Sequence, residues 1–432
     1  MSPNLWLYGL PLLFIFTIYF WKRTAKHQKS QRIYDDSVSS GLTEPASLHP
    51  VVNHALCLGC ATCVKACPEK DVLGVIKGKA HLINPTHCIG HGACKKSCPF
   101  DAIELVFGTE KRGVDIPQVD EDFQTNVPGI YIAGELGGMG LIRNAVSQGV
   151  QAVDSICRLD GIADGGQLDL VIVGAGPAGI AASLAAKSHN LDFVTLEQDS
   201  LGGTVSHYPR GKIVMTAPAE LPIVGKMRFK ETTKEALMEF WDGIVAKADL
   251  QIDDRQRVES IEIEDKGFLV KTGNTEYRPR AILLAIGRRG TPRKLGVPGE
   301  EQSKVVYRLI DAEQYRNQHV LVVGGGDSAL EAAVSIAEEE GTTVSISYRS
   351  EAFSRAKEKN RNKVAQAEKD GRIRVLLKSN VKQIDADKVV IKTDDGEISF
   401  DNDAVIVCAG GILPTAFLKS AGINIDTKFG TA

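Results

Sequence analysis

Residues 125–156 read TNVPGIYIAGELGGMGLIRNAVSQGVQAVDSI. A short apolar strand, Gly129-Ile130-Tyr131-Ile132-Ala133-Gly134, leads into Glu135, a run of glycines and a helix that begins near Leu141. That helix places Ala145, Val146, Gly149, Val150 and Val153 at helical spacing. A strand ending in Gly134 and Glu135 ahead of a helix N-terminus suits a flavin. The carboxylate can accept hydrogen bonds from ribityl hydroxyls, and the free N–H groups and positive end of the helix can face the electron-rich pyrimidine edge.

The stretch resembles the second FAD-binding motif of two-dinucleotide-domain flavoprotein reductases, above all the thioredoxin-reductase-like group. In that group the motif comes last in the chain, whereas here it precedes the first FAD motif. The segment from Ala404 to Ile423, AVIVCAGGILPTAFLKSAGI, looks like what normally comes just before it. The expectation is a circularly permuted flavin domain whose last strand and helix have moved to the front, a rearrangement made feasible by the closeness of domain termini.

The first nucleotide motif lies at Gln167–Thr204. An apolar strand runs into Gly174-x-Gly176-x-x-Gly179, then a helix, then a strand ending at Glu197. Gly174 allows the tight turn, Gly176 lets the backbone approach a pyrophosphate, Gly179 permits close helix–strand packing, and Glu197 would accept from ribose hydroxyls. Gly203 and Thr204 follow in Leu201-Gly-Gly-Thr-Val, with His207 and Tyr208 as candidates for the flavin's surroundings. Dithiol reductases resembling this chain carry a cysteine pair after Gly-Gly-Thr or in the nicotinamide domain. No cysteine occurs between Cys157 and Cys408. The second nucleotide motif is Val320-Leu-Val-Val-Gly324-Gly-Gly326-Asp327-Ser328-Ala329, followed by a strand ending at Arg349, with Arg355 beyond it. Arginine where an NAD site favours an acid points to the 2′-phosphate of NADPH over NADH.

Nine cysteines are present, seven of them between Cys57 and Cys98. They form Cys57-x2-Cys60-x2-Cys63-x3-Cys67-Pro68 and Cys88-x2-His91-x2-Cys94-x3-Cys98-Pro99, with a hairpin expected at Lys77-Gly78-Lys79 between the runs. Zinc sites pair separated cysteines around one tetrahedron and do not interleave triplets in this way. The pattern resembles a bacterial two-cluster ferredoxin, in which the fourth cysteine of each run serves the other cluster. That resemblance implies one [4Fe–4S] cluster on Cys57, Cys60, Cys63 and Cys98. The other would take Cys67, Cys88 and Cys94, with His91 where the family has cysteine. His-ligated [4Fe–4S], [3Fe–4S] and an empty second site all stay open.

Residues 5–21 are uncharged and apolar and precede Lys22, Arg23 and Lys26, as a membrane anchor with a cytoplasmic following domain would. Residues 22–48 read as a polar tether, of which His27 to His49 would behave as a coil with a reach of roughly 25–30 Å. The expected class is α/β, with two Rossmann-like domains, a small α+β ferredoxin-like domain and an N-terminal transmembrane helix. The expected segments are the anchor 5–21, the tether 22–48, the ferredoxin domain 49–107, the displaced flavin segment 108–160, the FAD domain 166–290, the NAD(P) domain 291–402 and a return strand to the FAD domain in 403–432.

A net charge of −3 gives no basic field for nucleic acid. The expected activity is electron transfer from NAD(P)H through FAD to iron–sulfur clusters, or the reverse, at the cytoplasmic face of the cell membrane, with no acid–base catalyst. The acceptor is unassigned among a ferredoxin, a quinone and a membrane redox subunit, and a homodimer is open. The alternatives are a non-catalytic electron-transfer subunit and a thiol or disulfide reductase without its own cysteine pair.

Overall fold

The computed structural model describes residues 5–39, 43, 45, 48–69, 71–88, 90, 92–110, 113–138, 140–216, 218–229, 231–288, 290–354 and 356–430, without the side chains of residues 5–9, 19 and 215. The chain divides into two compact units. One comprises Met1–Gly113, Ala352–Lys359 and Lys428–Ala432; the other comprises Val114–Glu351 and Asn360–Thr427.

In the first unit, helix α1 runs without a break over Leu5–Ser39. Residues 22–39, expected as part of a polar tether, are therefore helical. They contain no glycine or proline, and they gain partners that a short polar helix in water lacks. The Lys77 amide donates to His27 Nε2 at 3.1 Å, Lys29 Nζ meets Asp71 at 2.7 Å, and Ser37 Oγ donates to the Ile83 carbonyl at 2.9 Å. Gly74 leaves room for Ser30, whose Oγ would lie 2.6 Å from a Cβ there. The spanning helix expected at residues 5–21 gains no support: among the described residues no helix is long and apolar enough to cross a membrane. The apolar run with described side chains begins at Leu10, and by itself it is shorter than a bilayer core requires.

The ferredoxin-like module pairs its ends as antiparallel strands, His49–Val52 with Ile103–Val106. Its hairpin joins Leu73–Ile76 to Lys79–Leu82 through Lys77 and Gly78, both at positive φ, the conformation that suits a two-residue turn to strand twist. Two short helices, α2 (Thr62–Ala66) and α3 (Ala93–Lys96), occupy equivalent places in the two cysteine runs. Each follows a left-handed residue, Ala61 and Gly92 respectively.

The second unit holds two parallel five-stranded sheets. The first has the order Ile252–Asp253, Phe193–Leu196, Leu168–Val173, Pro279–Leu284, Ile130–Ile132. The strand that comes first in the chain is thus an edge of this sheet, and helix α4 (Ile142–Ile156) lies against α5 (Pro177–Ser188). Gly149 makes that approach possible, since a Cβ there would fall 2.2 Å from the Ala178 carbonyl oxygen. Helix α6 (Lys234–Lys247) buries Leu237, Trp241 and Ile244 in an adjoining cluster. The second sheet has the order Val305–Val306, Ala404–Val407, His319–Val323, Thr343–Ser347, Ile373–Leu376, with α7 (Asp327–Ala337) and α8 (Glu358–Lys369) completing its helices.

The strand Ala404–Val407 was expected to return to the FAD domain but belongs to this second sheet. All four of its residues are buried, the pattern of a strand covered on both faces of a parallel sheet. The return is made by the residues C-terminal to it. Gly411–Ile412 pairs with Thr291–Pro292, then α9 (Thr415–Ser420) places Leu418, Ala421 and Ile423 in the core of the first sheet. Finally Ile425–Lys428 pairs with Val114–Pro117.

Gly149→Ala forces α4 away from α5 and is expected to cost about 1–3 kcal/mol, read as a lowered thermal midpoint of the flavin domain. Gly243→Ala in α6, where a Cβ meets nothing within 4 Å, is expected to stabilise by up to about 1 kcal/mol. Equal behaviour of the two variants would refute the close-approach role of Gly149.

Candidate functional site

In the first sheet's glycine turn, Gly174 has φ 106°, and a Cβ there would fall 2.6 Å from the Ala285 carbonyl oxygen. At Gly179 a Cβ would fall 1.8 Å from the Gly174 oxygen, so the turn closes only without side chains. Gly176 caps α5 with no side-chain hydrogen bond and Pro177 opens the helix, leaving the first-turn N–H groups for an anion. Gly203 faces Gly176: a Cβ on it would lie 3.0 Å from the Gly176 Cα, at the start of the short turn Gly203–Val205 that carries Thr204. Glu197 is buried, and its oxygens accept from the Ala175 amide at 2.7 Å and the Asp199 amide at 3.0 Å. Each oxygen keeps a second lone pair for a ribose hydroxyl.

The displaced segment arrives at the same sheet end. The Ala133 amide donates to the Leu284 carbonyl at 3.1 Å, and Gly134, at φ 84°, packs beside Ala178 of α5. The Gly134 amide donates to Gln148 Oε1 of α4 at 2.9 Å. Glu135 Oε2 lies 3.9 Å from a Cβ built on Gly287, just past the central strand whose Ala285 closes on Gly174. Gly174 and Glu135 therefore flank one strand terminus, as one bound flavin requires. The His207 ring bonds Arg308 through Nδ1 and lies 3.2 Å from Asp199 through Nε2. The Tyr208 ring sits under Lys212.

In the second sheet Gly324 has φ 144°, and a Cβ there would fall 2.4 Å from the Cys408 oxygen. Gly326 caps α7 without a side-chain bond and has open space around it. Asp327 accepts from Asn360 Nδ2 at 2.7 Å, and Ser328 is exposed. Arg349 is exposed just past the strand Thr343–Ser347, whereas Arg355 lies outside the described residues. Lys212 reaches from the flavin-binding part to Glu331 of α7 at 2.7 Å.

The cysteines gather around two cavities. Cys57, Cys60, Cys63 and Cys98 line one, together with Leu58, Phe100 and Ile103. Cys67, Cys88 and Cys94 line the other with Pro68, Leu73 and Leu105. These are the two ligand sets that the swapped pattern implies. Among the described residues no three His, Cys, Asp or Glu side chains converge on one metal ion. His91 lies outside the described residues. The residue that the motif reading passed over is Glu69, which also lines the second cavity; its place directly after Cys67-Pro68 was the available signal.

The flavin-side glycines, the uncapped helix starts and the cysteine-lined cavities thus fit FAD, a nicotinamide dinucleotide and iron–sulfur clusters. A family model described as pyridine nucleotide-disulphide oxidoreductase matches residues 171–431. The chain belongs to that family. Its match leaves out residues 114–156, which the structure nevertheless folds into the same sheet and core, so this oxidoreductase is circularly permuted. A 4Fe-4S dicluster domain matches residues 49–99.

This oxidoreductase is 29% identical over 268 residues to a ferredoxin–NADP reductase of Ignicoccus hospitalis, covering 60% of this chain and 83% of that one. It is 24% identical over 266 residues to the bacilliredoxin reductase Bdr of Bacillus subtilis, covering 60% and 82%. Among solved structures, the bacillithiol disulfide reductase Bdr of Bacillus cereus aligns with a TM-score of 0.54 at 22% identity over 60% of this chain and 83% of that one, a likeness of fold. The protein is an FAD-dependent iron–sulfur oxidoreductase.

The cysteines differ in reactivity when no metal is bound. The Thr62 hydroxyl and amide hold the exposed Cys60 thiol below its ordinary value, while burial pushes Cys63 and Cys88 up to about 11. In metal-free protein Cys60 should therefore be alkylated first, its rate levelling off at lower pH than an ordinary thiol's, and Cys63 and Cys88 last. Peptide mapping of a timed iodoacetamide reaction checks the order.

Proposed function

We propose that this protein moves electrons between NAD(P)H and a one-electron acceptor, with NADPH the preferred nucleotide. When bound, FAD takes a hydride from NAD(P)H and the iron–sulfur clusters take electrons singly, which supplies chemistry that side chains alone do not. The chain's residues hold and orient these groups. The uncapped start of α5 would hold the pyrophosphate, Glu197 a ribose and Glu135 the ribityl chain, and the α4 N-terminus would supply positive potential to the flavin. The start of α7 takes the nicotinamide dinucleotide, and Arg349 meets its 2′-phosphate.

The observation that carries this reading is the pairing of two cysteine-lined cavities with a flavin fold that lacks a thiol pair of its own. Burial, with Asp154 and Asp169 nearby, pushes the half-buried Cys157 thiol above its ordinary value. Between Cys98 and Val114 the chain can stretch no further than about 55 Å, so the two units share a high effective concentration. The ferredoxin–NADP reductase relatives support the same chemistry, and a ferredoxin, a quinone or a membrane redox subunit is the acceptor class. The bacilliredoxin reductase relative favours a thiol reductase acting on an external thiol, the weaker reading for want of a cysteine pair.

Attachment to the cytoplasmic face of a membrane through residues 5–21 is part of this proposal. Its support is the exposed apolar run from Leu10 to Trp21 followed by Lys22, Arg23 and Lys26.

Anaerobic titration with NADPH and NADH, following flavin bleaching and low-temperature EPR together, is the test. Cluster signals should appear as flavin bleaches, and Cys57→Ser with Cys98→Ser should abolish one signal while leaving NADPH bleaching intact. Arg349→Glu should lower the preference for NADPH over NADH by about tenfold. Bleaching without any cluster reduction, together with turnover of small disulfides, would transfer the assignment to a thiol reductase.

A further inference from the structure

We propose that the face of the ferredoxin-like module bearing Cys60 docks on an anionic lipid bilayer; the inference rests on the membrane attachment proposed above. Around the Cys57, Cys60, Cys63 and Cys98 cavity the surface is open and apolar. Cys60 is exposed, Leu58 is 66% exposed, Leu56 50% and Phe100 40%, and both Leu58 and Phe100 line that cavity. The cavity of Cys67, Cys88 and Cys94 differs: none of these cysteines is exposed, and none of the large exposed hydrophobic side chains lines it.

The open face is tied to the apolar end of α1. His27 Nε2 accepts from the Lys77 amide at the hairpin tip, and the next residue, Gly78, abuts the cysteine loop. A Cβ on Gly59 would fall 2.1 Å from the Gly78 carbonyl oxygen, and Lys79 Nζ donates to the Cys57 carbonyl at 2.6 Å. From His27 back to Trp21 is a rise of about 9 Å along the helix, the scale of a lipid headgroup layer. Beyond it Leu10, Leu12, Leu13, Phe14, Ile15 and Ile18 are exposed, apolar all round the helix and not along one stripe. Exposed Lys22, Arg23, Lys26 and Lys77 gather at the junction, as a helix entering an anionic surface requires. The opposing charge nearest this face in sequence is Asp101, beside Phe100. A bilayer that takes up the run from Leu10 to Trp21 therefore meets Leu56 and Leu58 next.

The test is amide hydrogen exchange on the full-length, cofactor-loaded protein, in detergent and on vesicles of equal parts phosphatidylcholine and phosphatidylglycerol, with flotation measured in parallel. The protein should float, and exchange at residues 54–60 and 77–79 should slow by about tenfold on vesicles, the effect of burying roughly one leucine. Exchange at residues 92–97, in the other cysteine run, should not change. Leu56→Glu should still float and lose the protection, and Lys77→Glu should weaken it about fivefold. Flotation with unchanged exchange at 54–60 overturns this inference, leaves the attachment standing and opens the face to a protein partner. Failure to float overturns the attachment and this inference with it.

Discussion

The structure depends on a seam between two stretches of chain that are about three hundred residues apart. Gln118 donates its amide to the Asn424 carbonyl at 3.0 Å, Asn126 Nδ2 donates to the Gly422 carbonyl at 2.9 Å, and the Asn424 amide returns a bond to Asn126 Oδ1 at 2.7 Å. Thr427 Oγ1 donates to Asp115 Oδ1 at 2.7 Å, and Gln118 Nε2 reaches Asp426 at 3.0 Å. Such bonds are each worth only about 1 kcal/mol net. Their role is register. They fix residues 114–126 against the C-terminal strand, so that Ile130–Ile132 can complete the first sheet beside Pro279–Leu284. Glu135 reaches the flavin end of that sheet only because this edge strand is in place.

The permutation also changes what lies next to what along the chain. In the unpermuted order the last strand and helix of the flavin domain would follow the C-terminal segment. Here they follow the cysteine-rich module, so the chain leaving Cys98 enters the flavin fold within a short stretch. That short covalent connection keeps the cysteine-rich module at high effective concentration near the flavin fold. At its other end the module is held by α1, whose polar half packs along the hairpin from Lys77 to Ile83. The segment expected to be a loose leash is thus a strut.

Much of this was legible in the sequence because the signals were local and chemically specific. Gly174, Gly176 and Gly179 could be read as a closed turn from spacing alone, and the structure shows contacts that exclude any Cβ at Gly174 and Gly179. The two cysteine sets follow from the swapped pattern and line separate cavities. What was not legible depends on tertiary partners. Residues 22–39 lack an amphipathic stripe, and only docking on the hairpin reveals them as helix. The strand Ala404–Val407 is apolar throughout, so its pattern says that it is buried but not in which sheet. The sequence also does not show that Asp327 accepts from Asn360 or that Glu197 accepts from backbone amides, bonds that orient both carboxylates.

The central claim is that one isoalloxazine is enclosed jointly by the front and the back of the polypeptide. A crystal structure of the FAD-loaded protein tests it most directly. The account predicts a single flavin whose pyrophosphate lies on the Gly174–Gly176 turn and whose ribityl hydroxyls lie within hydrogen-bond reach of Glu135. A flavin bound by the glycine turn with Glu135 and α4 turned away from it would contradict the account.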